Sequence, residues 1–206
     1  MQNRLQKKML LATNNPGKLR ELKALLAGLR GIALVTPAGL GVHLAVKETG
    51  KTYAENAVLK AKAFAAESGL ASLADDSGLE VDALEGAPGL YSARYSPRPG
   101  ATDADRWSYL LENLSGKERP WRARFRAVIA VAAPTGEAYT AEGICEGQII
   151  PQERGSGGFG YDPIFLLVGR EQTMAELSEE EKNRVSHRAR AVRNGWAMIE
   201  RALGEG

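Results

Sequence analysis

Two adjacent carboxylates, Asp75 and Asp76, follow a short apolar run in the stretch LADDSG. Neighbouring carboxylates repel each other, and without a partner one of them keeps its proton. A divalent cation between them would remove the conflict, and so would exposure in a solvated turn. Two interpretations are therefore open at this point: a metal site that orients a water molecule for hydrolysis, and a capped turn after a strand.

The stretch TNNPGK, at residues 13–18, lies between a predicted strand and a predicted helix. Backbone N–H groups at a helix start point outward, and the helix dipole favours an anion there. Lys18 places a positive charge where the dipole alone would favour an acid, and a bound phosphate would explain that position. The Walker spacing is absent, and an ordinary turn is the alternative. Because this stretch and Asp75–Asp76 both follow predicted strands, both are expected to reach one cleft.

A glycine-rich loop, GSGGFGYDP at residues 155–163, carries the aromatic residues Phe159 and Tyr161. Glycines let a backbone approach a ligand closely, and either ring could stack on a flat base. A flexible loop with buried aromatic side chains is the alternative.

Three basic or titratable residues, Lys182, His187 and Arg188, lie in the C-terminal helical segment. On one unbroken helix Lys182 and His187 would lie about 140° apart, at ~100° per residue, and would not share a face. Since Ser186 can cap a new helix, we predict a break near Val185 and Ser186 that directs a helix start at a ligand. A solvated, charged helix is the alternative.

The surrounding patterns predict the elements that must position these residues. Strands are predicted at residues 8–13, 32–36, 71–75, 122–134 and 138–150, and helices from Lys18, after a capping pair at Thr52 and Glu55, and at residues 102–114. Early strands alternate with helices, and a long β-hairpin lies in the middle of the chain. This order indicates an α/β fold with a mixed central sheet flanked by helices.

Composition excludes several classes of protein. The net charge of +2 over 206 residues does not favour a nucleic-acid or membrane partner. The lone cysteine, Cys145, excludes an internal disulfide or multi-cysteine zinc site, and His43 and His187 are too few for a histidine-rich zinc site. A metal would therefore be a hard cation held by carboxylates, such as Mg²⁺. The N-terminal apolar run is too short for a secretory signal or a membrane span, and we expect a cytoplasmic protein.

Five blocks occur in order: LATNNPGKLRELKALL, ETGKTYAENAVLKA, ADDSGLEVDALEGAPGLYSARYS, GFGYDPIF and EEKNRVSHRARA. They resemble the signature blocks of the inosine triphosphate pyrophosphatase family, from about Met9 to about Gly195. The resemblance implies hydrolysis of ITP, dITP and XTP to the monophosphate and pyrophosphate with Mg²⁺. It also implies an elongated mixed α/β fold, a single domain over residues 1–206 and a homodimer.

The resemblance further implies roles for individual residues. Asp76 is the expected catalytic carboxylate, and Glu48 and Asp76 are the expected metal ligands. The expected phosphate-binding residues are Thr13, Asn14, Asn15, Pro16, Gly17 and Lys18. The expected nucleotide contacts are Ser77, Phe159, Gly160, Tyr161, Asp162, Lys182, His187 and Arg188. In the implied reaction a water placed by Asp76 attacks the α-phosphorus, while Lys18 and Lys182 stabilise charge on the leaving pyrophosphate.

One departure from the family pattern lies in the phosphate loop, where Thr-Gly-Asn is usual and this chain has Thr13-Asn14-Asn15. Asparagine tolerates left-handed backbone better than most residues, so we expect the loop to keep its shape.

Other functions stay open on the sequence. A pyrophosphatase for modified pyrimidine nucleotides would keep the chemistry and change the base pocket. A non-catalytic nucleotide sensor would bind ITP and release no pyrophosphate, yet an anion binder gains nothing from two carboxylates beside a triphosphate. An RNA-binding protein using the arginines near Trp121 is disfavoured by the near-neutral charge and the lack of a recognised module.

Overall fold

A computed structural model describes residues 7–204, and residues 1–6 and 205–206 lie outside the described range. Within this range the strands are β1 (Lys7–Leu11), β2 (Ile32–Val35), β3 (Ala71–Val81), β4 (Trp121–Ala132), β5 (Ala138–Ile149) and β6 (Phe165–Leu167). The α-helices are α1 (Pro16–Leu25), α2 (Tyr53–Ser68), α3 (Asp103–Leu114), α4 (Glu179–Val185), α5 (His187–Asn194) and α6 (Trp196–Gly204).

The described strands form one sheet in the order β2-β1-β3-β4-β5-β6. Strand β1 pairs in parallel with β2 and β3, whereas β5 and β6 are antiparallel. Strands β4 and β5 are neighbours joined by five residues and form the predicted long hairpin. The prediction of a mixed α/β fold is confirmed.

The chain divides into two compact units, each built from separate segments. Within the described residues, the first unit contains residues 7–76, Val128–Glu142 and residues 191–204. The second unit contains Ser77–Ala127 and Gly143–Arg190. The single domain over residues 1–206 stays a prediction.

The first unit is built around a parallel strand that is buried on both faces. Met9, Leu10 and Leu11 of β1 are fully buried, as a strand in the middle of a parallel region requires. Helix α2 starts where predicted, because Thr52 accepts a hydrogen bond from the Glu55 N–H. It ends at Gly69, whose φ of 66° suits glycine.

The second unit is built on the alternation of β4. The side chains of Trp121, Ala123 and Phe125 are buried, while the intervening Arg122 is exposed and Arg124 is partly exposed. This period of two residues is that of a half-buried strand. Helix α3 begins with a complete capping box between Thr102 and Asp105, which agrees with the predicted helix over residues 102–114.

Strand β3 is longer than predicted. The sequence placed its end at Asp75, but it continues to Val81, and Asp75 and Asp76 therefore lie inside a strand and not in a turn. The prediction failed because adjacent carboxylates are typical of a solvated turn, whereas here lysines distant in sequence neutralise them inside the strand.

The C-terminal segment breaks at the predicted position. Ser186 has an extended ψ of 158°, and its side chain accepts a hydrogen bond from the Ala189 N–H. A second interruption at Gly195 was not predicted. A Cβ there would lie 2.9 Å from side-chain carbons of Ala141 and Ile129, so close packing against the hairpin requires glycine.

None of the helices within residues 7–204 is long and apolar enough to cross a membrane.

Candidate active site

The two carboxylates on β3 are each paired with a lysine from a helix. Successive strand residues point to opposite faces, and the neighbours meet different partners. Asp75 Oδ1 lies 3.1 Å from Lys18 Nζ of α1. Asp76 Oδ1 lies 3.6 Å from Lys60 Nζ of α2, and Asp76 Oδ2 accepts a hydrogen bond of 3.1 Å from Asn56 Nδ2. The interpretation as a solvated turn is therefore wrong, because lysines within the chain neutralise both carboxylates.

Lys60 is the centre of this cluster, although it is not among the site residues predicted from the sequence. Its Nζ donates to Glu48 Oε1 and to the Asp75 carbonyl oxygen, each at 2.8 Å. Burial acts to lower the pKa of Lys60, but the nearby carboxylates, Asp76 foremost, raise it overall. Its position four residues after Asn56 on α2 was an available signal, because residues at this spacing share a helix face.

Asp76 is a carboxylate held in a mostly buried position. Burial raises the pKa of Asp76 above its ordinary value, and Glu48 adds to that rise. The charges of Lys60 and Lys18 act in the opposite direction and are outweighed. A carboxylate whose pKa is raised in this way is better suited to accept a proton from water than an ordinary exposed aspartate.

The predicted metal ligands Glu48 and Asp76 fit a hard cation. Both offer carboxylate oxygens, and both approach the one ammonium group of Lys60, so the position attracts positive charge. Within residues 7–204 no group of three or more histidine, cysteine, aspartate or glutamate residues is arranged to hold a metal. Mg²⁺ commonly uses one or two carboxylates and completes its shell with water and substrate phosphates, which matches this pair.

The predicted phosphate loop forms the N-terminal cap of α1. Asn15 Oδ1 accepts a hydrogen bond of 3.0 Å from the Lys18 N–H, and Thr13 Oγ1 accepts one of 3.2 Å from the Asn15 N–H. Asn14 does not use the left-handed backbone that asparagine tolerates: of the non-glycine residues in the described range, Glu85 has a positive φ, of 54°. The ion pair with Asp75 also gives Lys18 a partner inside the protein, which explains its position without a phosphate.

The remaining predicted residues of the loop differ in their exposure to solvent. Exposed Asn14, Asn15 and Pro16 are accessible to a ligand, whereas Gly17 is buried. Lys18, partly buried, is the residue of this stretch that joins the carboxylate cluster of the first unit.

In the second unit, the glycine-rich loop is fixed by carboxylates. Asp162 Oδ2 accepts hydrogen bonds from the Phe159 N–H at 2.8 Å and from Lys182 Nζ at 2.5 Å. The hydroxyl of Tyr161 donates to the Ser92 carbonyl oxygen, and its ring packs in the core. Phe159 is therefore the aromatic side chain of this loop that is partly exposed and can stack on a base.

Two cationic side chains flank the Phe159 ring. Lys182 Nζ lies 4.9 Å and Arg188 Cζ 5.8 Å from the ring centroid. Lys182, His187 and Arg188 are buried, with exposed fractions of 5%, 5% and 1%. The alternative of a solvated, charged helix is therefore wrong. Arg188 also donates to Ser77 Oγ at 3.0 Å.

His187 is placed by an aromatic neighbour. Its ring stacks on Phe125 of β4, with ring centroids 4.8 Å apart and an interplanar angle of 17°. Because α5 begins at His187, the predicted break at Ser186 brings His187 and Arg188 to a helix start in the same unit as the glycine-rich loop.

These arrangements define a mixed α/β protein with two functional features. The first unit contains a lysine–carboxylate cluster formed by Lys18, Glu48, Lys60, Asp75 and Asp76. The second unit contains the glycine-rich loop, in which Phe159 is flanked by cations. The first is suited to a metal-chelated anion, and the second to a flat ring with hydrogen-bond acceptors. The chain belongs to the Ham1 family, whose family model matches residues 9–197.

Two curated relatives carry the same name. The chain is 53% identical to a dITP/XTP pyrophosphatase of Thermus thermophilus, over 90% of this chain and 88% of that protein. It is 46% identical to the dITP/XTP pyrophosphatase of Bacillus licheniformis, over 95% of this chain and all of that protein. Solved structures support the assignment to the Ham1 family. The Ham1 protein of Staphylococcus aureus has a TM-score of 0.82 at 38% identity, over 97% of this chain and 100% of that chain. The HAM1 protein from Coxiella burnetii has a TM-score of 0.83, with the same identity and coverage.

Proposed function

We propose that this protein hydrolyses the non-canonical purine nucleoside triphosphates dITP, ITP and XTP to the monophosphate and pyrophosphate, with Mg²⁺ as cofactor. The names of its relatives support this substrate class. The structural observation that carries the proposal is the gathering of Glu48, Asp76 and Asp75 around the ammonium group of Lys60, with Lys18 on the same cluster.

The proposed chemistry needs little covalent participation by the protein. Glu48 and Asp76 would hold Mg²⁺, which would neutralise part of the charge of the triphosphate. Asp76 accepts a proton from a water molecule, whose oxygen attacks the α-phosphorus, and the bond to the bridging oxygen breaks as pyrophosphate leaves. Lys18 and Lys60 stabilise charge that develops on the phosphate oxygens, because phosphoryl transfer relies mainly on positioning and charge stabilisation.

Lys182 has a different role in this proposal from the one implied by the family resemblance. It pairs with Asp162 and lies over the Phe159 ring, so we assign it to base binding and not to the leaving group. Lys60 takes over the charge-stabilising role beside Lys18.

Base selection is assigned to the second unit. Phe159 stacks on the purine, and donors from Arg188 or His187 pair with the keto oxygen at C6. Adenine carries an amino group at C6, so a donor would face a donor. One unpaired buried group costs roughly 1–3 kcal/mol, or about 5- to 150-fold in affinity.

A nucleotide panel with Mg²⁺ tests the proposal. Wild-type protein is incubated with dITP, ITP, XTP, ATP, GTP and modified pyrimidine triphosphates, and pyrophosphate is scored against inorganic phosphate. We expect pyrophosphate from the first three, and none when EDTA removes the metal. Preferential cleavage of a pyrimidine would support the rival pyrophosphatase, and tight ITP binding without pyrophosphate would support the sensor. Equal rates on ATP and ITP would contradict donor-based selection.

A homodimer and a cytoplasmic location complete the proposal, the latter because the proposed substrates belong to the cellular nucleotide pool. Light scattering coupled to size-exclusion chromatography tests the dimer directly.

A further inference from the structure

Asp103, the first residue of α3, lies outside the predicted site residues but reaches the glycine-rich loop. Its Oδ2 accepts a hydrogen bond of 2.7 Å from the Gly160 N–H. Its Oδ1 pairs with Arg106 one turn along the same helix, and Arg106 donates in addition to the Ala101 carbonyl oxygen at 2.7 Å. The carboxylate is therefore oriented by Arg106 on one side and bonded to the loop on the other.

The loop is thus held at two successive backbone amides. The Phe159 N–H bonds to Asp162, which belongs to the loop itself, and the Gly160 N–H bonds to Asp103, which belongs to a separate helix. Gly160 has a φ of 66°, a conformation that glycine adopts freely among several others. The bond from Asp103 favours this conformation over the others, and charge-assisted hydrogen bonds are stronger than neutral ones.

From this geometry we propose that Asp103 is a positioning residue that fixes the Phe159–Gly160 peptide and thereby orients the Phe159 ring for the base. The inference rests on the proposed function of that ring. Without the anchor, the loop must be ordered when the nucleotide binds, and that ordering reduces affinity. The cost falls on base binding, so KM should rise while kcat stays the same, since the lysine–carboxylate cluster contains no part of this loop.

Asp105 supplies a matched control. It is a carboxylate on the same helical turn, but its contacts are the Thr102 cap and an ion pair with Arg98. Asp105→Ala should weaken the start of α3 and leave the Gly160 contact in place. Asp103→Asn keeps an acceptor oxygen of the same shape and tests rescue if Asp103→Ala folds poorly.

Steady-state kinetics with dITP and hydrogen exchange at the Gly160 amide test the inference together. For Asp103→Ala we expect KM to rise roughly tenfold, as expected for loss of one hydrogen bond to a charged group, with kcat within about twofold of wild type. Exchange at Gly160 should become faster. Asp103→Asn keeps one acceptor for the Gly160 N–H but loses the charge and the pairing with Arg106, so it should restore part of the affinity. Asp105→Ala should leave both readouts at wild-type values.

An unchanged KM in Asp103→Ala overturns the inference whatever the exchange rate, and so does an equal rise of KM in Asp105→Ala. If wild-type protein releases no pyrophosphate from any nucleotide, the proposed function fails separately. Calorimetric binding of inosine monophosphate then replaces KM, with the same expectation for each variant.

Discussion

At the scale of single residues, Lys60 explains how two adjacent carboxylates stay inside a strand. Lys60→Met removes the ammonium group but keeps most of the apolar stem, so Glu48 and Asp76 lose their common partner. We expect kcat/KM for dITP to fall at least about 100-fold, because positioning and charge stabilisation dominate this chemistry. Lys62→Met is the control, since Lys62 lies on the same helix and is exposed. Similar losses in both variants would contradict a specific role for Lys60.

The residue types in the sequence indicated the chemistry of the site, but they did not predict which side chains contact each other. The sequence identified Asp76, Glu48 and Lys18 as candidates, and the structure gathers them in the first unit. It did not identify Lys60, because a lysine in a helix rich in alanine and lysine looks like a solvated surface residue. Its contacts with strand β3 and with Glu48, both distant in sequence, distinguish Lys60 from Lys62.

At the scale of elements, Gly50 connects the loop before α2 to the lysine–carboxylate cluster. The Gly50 N–H donates to Asn56 Oδ1 at 2.8 Å, and Asn56 Nδ2 in turn donates to Asp76. A Cβ on Gly50 would lie 2.6 Å from Glu55 Cβ and 2.7 Å from Asn56 Oδ1. Asn56 thus connects the segment that carries Glu48 with the strand that carries Asp76.

Gly50→Ala should force this connection apart. We expect a loss of about 1–3 kcal/mol in the free energy of unfolding, typical of overpacking, measured by urea denaturation. Activity should fall as well, and a higher Mg²⁺ concentration should be needed for half-maximal rate. Lys51→Ala changes the exposed neighbouring side chain and should have neither effect. An unchanged unfolding midpoint for Gly50→Ala would show that the loop can move aside without cost.

Elements with local causes were predicted well, and elements with distant causes were not. Capping residues next to the helices gave the starts of α2 and α3 and the break at Ser186. The full length of β3 and the interruption at Gly195 depend on segments far away in sequence, on lysines of two helices in one case and on hairpin side chains in the other.

At the scale of the whole molecule, the class of fold follows from the order of elements. Alternating strands and helices followed by a hairpin indicate a mixed sheet. The five ordered sequence blocks indicate the family to which the chain belongs. The division into two units has no counterpart in the sequence, because β3, β4 and β5 each pass from one unit to the other without a linker.

The acid stability of the whole molecule should depend on Glu80, a carboxylate that is not among the proposed site residues. Glu80 of β3 accepts hydrogen bonds from Arg124 Nε at 2.8 Å and Arg126 Nε at 2.9 Å. Partial burial acts to raise the pKa of Glu80, but the two arginines, Arg126 first, lower it below its ordinary value. A carboxylate with a depressed pKa in the folded state stabilises the fold above its unfolded pKa, and that contribution is lost as pH falls through the folded value.

Glu80→Gln should therefore lower the free energy of unfolding by about 1 kcal/mol at pH 7, a modest amount because the ion pairs are partly exposed. The difference from wild type should shrink as pH falls below about 4.5 and vanish once Glu80 is protonated in both states. Urea denaturation from pH 7 to pH 3 measures this, with Glu112→Gln on the exposed face of α3 as the control for loss of one charge. A difference between Glu80→Gln and wild type that stays constant with pH would mean that the glutamine changes packing and that the arginine pairing contributes nothing to stability.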